Sequence, residues 1–167
     1  QKTYKNGKLD GLHTIWFEDG QKKEEATYKN SRLDRKWTYW YENGQKRKEG
    51  TFKDDELEGL LTSWYENGQK KYEVTYKYGE RDGLVTWWYE NGQKKEEGTF
   101  KDGKLDGKWT YWYENSQKSK DGTWKDREKD GVWTSWYENG QKKLEITYKD
   151  EGLTSTQEWN EDGSVFN

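Results

Sequence analysis

Apolar and polar side chains alternate along short runs of this chain. In Lys36-Trp37-Thr38-Tyr39-Trp40-Tyr41 and Lys108-Trp109-Thr110-Tyr111-Trp112-Tyr113, every second residue lands on the same side of an extended strand. The runs recur. Trp16, Trp40, Trp64, Trp88, Trp112 and Trp136 stand 24 residues apart, and Trp159 follows after 23. Thr-aromatic-Lys has the same period, from Thr3-Tyr4-Lys5 to Thr147-Tyr148-Lys149. Repetition at a fixed period predicts one continuous array. No composition shift or linker divides residues 1–167. A helix is excluded because glycine recurs too often and the apolar spacing is not 3.6.

Turn chemistry divides each repeat into two strands. Asp19-Gly20, Asn43-Gly44, Asn67-Gly68, Asn91-Gly92 and Asn139-Gly140 favour two-residue type I′ turns, whose central residues both need positive φ. The second connection, as in Asp102-Gly103-Lys104-Leu105-Asp106-Gly107, reads as a longer bent turn. The result is an all-β antiparallel meander. The lack of proline suits it, because every strand can donate its N–H groups to both neighbours.

Centring each hairpin on its Asn-Gly pair sets residue 41 opposite 46, 39 opposite 48 and 37 opposite 50. Trp37 then faces Gly50 and Trp109 faces Gly122, an indole over bare backbone. Leu61 faces Val74, Trp133 faces Ile146, His13 faces Ala26, Ser63 faces Tyr72 and Ser135 faces Leu144. Tyr39 meets Lys48 and Tyr111 meets Lys120, where a cation can sit on a ring. One face holds 37, 39 and 41 with 46, 48, 50 and 52. The other holds Thr38, Trp40 and Glu42 with Gln45, Arg47, Glu49, Thr51 and Lys53. On this reading Trp40 lies beside Arg47, Trp64 beside Lys71 and Trp88 beside Lys95. A bulge at the turn would exchange these placements.

Composition narrows the function. Twenty-nine aromatic residues stand against only 17 Leu, Ile, Val and Ala, so rings must supply the core. Without cysteine there is no disulfide, thiol chemistry or cysteine-based zinc site. Thirty basic residues against 33 acidic ones argue against a general nucleic-acid binder. No stretch approaches the roughly 18 apolar residues of a transmembrane segment. The chain begins at Gln1 within a repeat, which reads as a fragment and leaves the compartment open.

The residues then carry a resemblance. Gly98-Thr99-Phe100-Lys101-Asp102-Gly103-Lys104-Leu105-Asp106-Gly107-Lys108-Trp109-Thr110-Tyr111 resembles the MORN repeat (membrane occupation and recognition nexus). The string Trp-Tyr-Glu-Asn-Gly-Gln-Lys at 40–46, 64–70, 88–94 and 136–142 resembles more closely the bacterial MORN-variant repeats. The likeness covers about six copies with partial ones at both ends. It implies stacked β-hairpins in one elongated, single-layer, twisted and trough-shaped sheet. Residues 153–167 form a degenerate last copy and read as a C-terminal cap. Arg35, Asp55, Ser31 and Ser116 replace turn glycines, so those turns should be strained. For function the resemblance implies protein–protein scaffolding, self-association or phospholipid headgroup contact, and the bacterial variant is often an antitoxin component.

Chemistry is thin. Glu42, Glu66, Glu90, Glu114 and Glu138 recur in every copy, whereas a catalytic carboxylate is normally singular. They read as a solvated face or ion-pair ladder. His13 lacks a second ligand and reads as packing. The Asp-x-Gly strings lack the further acidic positions of a calcium loop. No catalytic residue, metal site or cofactor is expected.

Rings that a single layer leaves uncovered suit a protein partner. The candidates are Tyr39, Trp87 and Tyr111, which vary between copies, with the adjacent Tyr41, Tyr65, Tyr89 and Tyr113. Phospholipid binding is an alternative, through aligned Lys46, Lys70, Lys94, Lys118 and Lys142, with Glu49, Glu73, Glu97 and Glu145 near enough to blunt their field. Glycan or cell-wall binding by stacking on the tryptophans is another. The edge of Gln1–Lys5 offers a site for self-association.

Overall fold

The computed structural model describes residues 2–150 and 152–166. The expected edge at Gln1–Lys5 and the expected cap at 153–167 therefore each include one terminal residue, Gln1 and Asn167, outside the described set. The fold is all-β, and its strands are antiparallel and follow chain order. β1 (Tyr4–Lys5) and β2 (Lys8–Leu9) pair with each other.

Residues fall into two compact units, Gln1–Arg81 and Asp82–Asn167. The first contains β3 (Gly11–Trp16), β4 (Lys22–Lys29), β5 (Arg32–Trp40), β6 (Lys46–Lys53), β7 (Glu56–Leu57), β8 (Gly59–Trp64) and β9 (Lys70–Lys77). The second contains β11 (Lys94–Lys101), β12 (Lys104–Trp112), β13 (Lys118–Lys125), β14 (Glu128–Trp136), β15 (Lys142–Lys149) and β16 (Gly152–Glu158), with all but two residues of β10 (Glu80–Trp88). No helix long and apolar enough to cross a membrane is present among the described residues.

The two kinds of turn are the reverse of the expectation. Asn43-Gly44 does not make a type I′ turn. Gly44 N–H donates to the Tyr41 carbonyl at 3.0 Å, and Tyr41 N–H donates to the Gln45 carbonyl at 2.8 Å. Only Gly44 has positive φ, at 80°, so the loop is three residues long. Asn43 serves it by side chain instead, accepting the Gln45 N–H at 2.9 Å. The true two-residue turn is Asp102–Gly103, at φ 49° and 70°, closing the pair Lys101 and Lys104. The expected bend lies further along, within β12. There Gly107, Lys108 and Trp109 fall between the pairs Thr99–Asp106 and Glu97–Thr110, as a bulge against Gly98.

The register away from the turn is as read from the sequence: Trp37 pairs with Gly50, Tyr39 with Lys48, Leu61 with Val74, Trp133 with Ile146 and His13 with Ala26. Near the turn it is not. Trp40 pairs with Lys46, leaving Arg47 as an extra residue. Lys46 therefore joins the face of Thr38 and Glu49, and Arg47 crosses to Tyr41. The bulge that the three-residue loop requires is the cause.

A second correction concerns the indoles. Trp109 is the register partner of Gly122, but the ring above Gly122 belongs to Trp133, on the following strand. Likewise Trp109 covers Gly98, while Leu61 covers Gly50. The bulge between hairpins tips each of these side chains back over the preceding strand.

The aromatic face carries the buried core, with Ala26, Leu61 and Val74 in the first unit and Val85, Phe100, Trp109 and Trp133 in the second. The opposite face also buries a column, of threonines: Thr14, Thr38 and Thr62, then Thr86, Thr110 and Thr134. Arg35, Asp55, Ser31 and Ser116 do hold left-handed φ, between 67° and 77°. Tyr78 and Arg127 share that conformation at 52° and 77°.

Candidate functional site

Most residues that recur in every copy are engaged in holding one repeat to the next. Tyr41 donates its hydroxyl to the Trp64 carbonyl at 2.9 Å, Tyr89 to Trp112 at 2.8 Å, and Tyr113 to Trp136 at 2.7 Å. Asn43 and Asn115 donate their side-chain amides to the carbonyls of Glu66 and Glu138, at 2.9 and 3.0 Å. The recurring glutamates thus contribute their backbone here.

Two sets of cation–ring contacts repeat along the chain. The bulge residue stacks on the tyrosine of its own hairpin: Arg47 on Tyr41, Lys71 on Tyr65, Lys95 on Tyr89. The preceding lysine reaches one repeat onward: Lys46 onto Trp64, Lys94 onto Trp112, Lys118 onto Trp136. Trp40 is accordingly covered by Lys22 rather than by Arg47.

That second lysine also pairs with the acid three residues later. Lys46–Glu49 and Lys70–Glu73 are 2.7 Å apart, Lys94–Glu97 2.6 Å, Lys118–Asp121 3.0 Å and Lys142–Glu145 2.8 Å. Burial pushes the Glu49 carboxyl up, but hydrogen bonds from Lys46 and Lys36 outweigh it and hold the group below its ordinary value. An ion-pair ladder is therefore made by Glu49, Glu73, Glu97, Asp121 and Glu145.

The column from His13 to Trp133 varies between copies but carries much of the core; a second variable set lies in one row of the aromatic face. In the first unit the row is Ile15, Glu24, Tyr39, Lys48, Ser63 and Tyr72. In the second it is Trp87, Glu96, Tyr111, Lys120, Ser135 and Leu144. The two rows correspond at a spacing of 72 residues, three repeats, and Glu-Tyr-Lys occurs in both. Sequence alone could have shown this longer period, since residue 24 aligns with 96, 39 with 111 and 48 with 120.

Of the sequence candidates, Trp87 and Tyr111 are brought together on either side of Glu96. Tyr39 holds the matching place in the first unit, packed edge-on against Trp37 at 5.0 Å. Tyr41, Tyr65, Tyr89 and Tyr113 lie instead at the turn end of the strands, half-buried. Burial, then the charge of Glu96, pushes the Tyr111 hydroxyl up to about 12. Burial also raises the Glu96 carboxyl. Tyr39 is raised by burial and by Glu24, whose carboxylate accepts the Trp37 indole N–H at 3.2 Å.

His13 packs beside Tyr28 at 5.8 Å, with its Nδ1 buried and unpartnered. Among the described residues no group of three or more His, Cys, Asp or Glu gathers as metal ligands would.

The arrangement can present flat rings framed by single charges. Comparison with known proteins agrees with the repeat. Residues 9–30, 36–54, 57–78, 81–102, 105–126 and 129–150 each match a family described as MORN repeat variant. No curated protein matches the chain.

Proposed function

The chain belongs to the MORN repeat variant family, and from that premise we propose that it is a non-catalytic module that binds a protein partner along its aromatic face. MORN repeats are in general interaction modules, which is the coarse form of this reading. An antitoxin-like role is its finest form. One observation carries the proposal. The tyrosines, asparagines and lysines that recur are engaged between repeats, while half-buried rings that differ between copies lie in the rows of Tyr39 and of Trp87 and Tyr111. The variable column from His13 to Trp133 supplies much of the core, whereas the variable rings Tyr39, Trp87 and Tyr111 stay half-buried and are left for recognition. Large rings with two side-chain torsions bury much area at little entropic loss, as interface anchors do.

The test is affinity capture with three baits: the native chain, Trp87→Ser with Tyr111→Ser, and Leu60→Ser on the opposite face. The expected result is a partner retained by the native and Leu60→Ser baits and lost by the double variant. Capture indifferent to Trp87 and Tyr111, or no partner with a strictly monomeric chain in sedimentation, would overturn the reading.

A further inference from the structure

In a repeat array, a charged residue that breaks a column of leucines is one that the column's packing does not require. Lys129 is such a residue. Its column holds Leu9, Leu33, Leu57, Leu105 and Leu153, with Arg81 the other departure. Lys129 is half-buried on the aromatic face, paired with Trp124 in the strand register. Its ammonium lies 5.1 Å from the centre of the Trp133 ring, and so does that of Lys120. Lys129 also stands 5.2 Å from the Tyr148 ring.

Elsewhere in this chain a lysine of the ladder has a carboxylate at 3.0 Å or less. Among the described residues no ion pair joins Lys120 or Lys129 to an acid. One repeat earlier the same two places hold Glu96 and Leu105, so this accumulation of positive charge is local to one copy. Burial, then the neighbouring Lys129, lowers the Lys120 ammonium from its ordinary value, the response of a cation without a counter-charge. Beside them the Trp124 indole N–H is buried with no partner, on a ring packed edge-on against Trp133 at 5.2 Å. The Lys129 ammonium donates to the Tyr148 hydroxyl at 3.4 Å, and among the described residues neither lysine of this donor-rich cluster pairs with a carboxylate.

We propose that Lys120 and Lys129, with Trp133 and Tyr148, form a receptor for the carboxylate side chains of an acidic, partly apolar protein segment. The proposal rests on the interaction-module reading and names the chemistry of the partner. Two ammonium groups beside one ring supply charge-assisted hydrogen bonds. The half-buried Tyr148 ring offers apolar surface that a free, hydrated anion could not use, while the buried Trp133 ring holds the two lysines. The unit Asp82–Asn167 has 13 basic and 18 acidic residues. Within that acidic surround the two ammonium groups are a local site, sized for one or two discrete acidic side chains rather than an extended anionic surface.

The test is calorimetric titration of the full chain with a capped alternating Glu-Leu hexapeptide. Its Gln-Leu counterpart, inorganic phosphate and phosphatidylserine vesicles serve as the other arms. Saturable binding of the Glu-Leu peptide is expected, weakening with added salt and falling about tenfold or more in Lys129→Leu and in Lys120→Gln. The first variant restores the column residue, and thermal melting confirms that each still folds. Binding indifferent to both substitutions, no saturable binding, or equal binding of the Gln-Leu peptide, phosphate or vesicles overturns the proposal. A captured partner that depends on Trp87 and Tyr111 but not on Lys129 would remove this receptor and leave the broader reading intact. Lys129-dependent peptide binding without any such partner would do the reverse.

Discussion

Trp133 lies so close over Gly122 that a Cβ added to the glycine would stand 2.1 Å from the indole. The two residues belong to neighbouring strands, β14 and β13. Their contact is the means by which one repeat seats on the one before. Gly98 and Trp109 have the same relation, also at 2.1 Å.

Gly122→Ala should therefore destabilise the second unit by about 2–3 kcal/mol, because a rigid ring in a filled face must shift. Gly50→Ala should be milder. Its added Cβ meets the tip of Leu61 at 2.9 Å, a flexible end that can turn away. Chemical denaturation of both variants checks the order, and equal losses would contradict it.

Tyr89→Phe removes one hydroxyl and leaves its ring in place. The hydrogen bond to the Trp112 carbonyl disappears, with an expected loss of about 1 kcal/mol. Amide hydrogen exchange should quicken around residues 112–114. A variant as stable as the native chain would show that water replaces the hydroxyl fully.

Arg35 and Arg127 occupy left-handed backbone at φ 77°. Arg35→Gly and Arg127→Gly should each stabilise the fold by about 0.5–1 kcal/mol, since relief of the Cβ clash exceeds the added chain entropy. Thermal melting is the readout. A fall in Tm for either variant would mean that its side chain contributes more than its backbone loses.

Tyr111 should ionise near 12, well after an ordinary tyrosine at about 10. The sign follows from linkage. The folded state holds the phenolic proton more tightly than the unfolded one, so stability falls as pH rises from the unfolded value toward the folded one. Ultraviolet difference absorbance follows the phenolate. Glu96→Gln removes the second cause, the charge, and should bring the transition to lower pH. No change would leave burial as the sole cause.

Much of the fold was legible because its signals are local and repeated many times. The 24-residue period, the pairing of Trp37 with Gly50 and that of Leu61 with Val74 follow from alternation and a turn position. The turn types were less legible, because Asn-Gly suits both a type I′ turn and a three-residue loop closed by Gly44. Near the turn that difference moves the register by one residue and exchanges Lys46 with Arg47. The candidate rings show the same division. Tyr39, Trp87 and Tyr111 stood out by varying between copies. The commitment of the Tyr41, Tyr89 and Tyr113 hydroxyls to the next repeat depends on a contact 23 residues away.

By itself the sequence determined the strands, their order and the two faces, since period-two patterning and glycine turns act within one hairpin. It also determined that rings must replace an aliphatic core. Only the tertiary structure decided how hairpins lean on one another: which indole covers which glycine, which lysine covers which tryptophan, and which cations lack an acid. Those outcomes depend on bulges and side-chain tilt between strands. A shift of one residue there redirects a side chain without changing the pattern that the sequence displays.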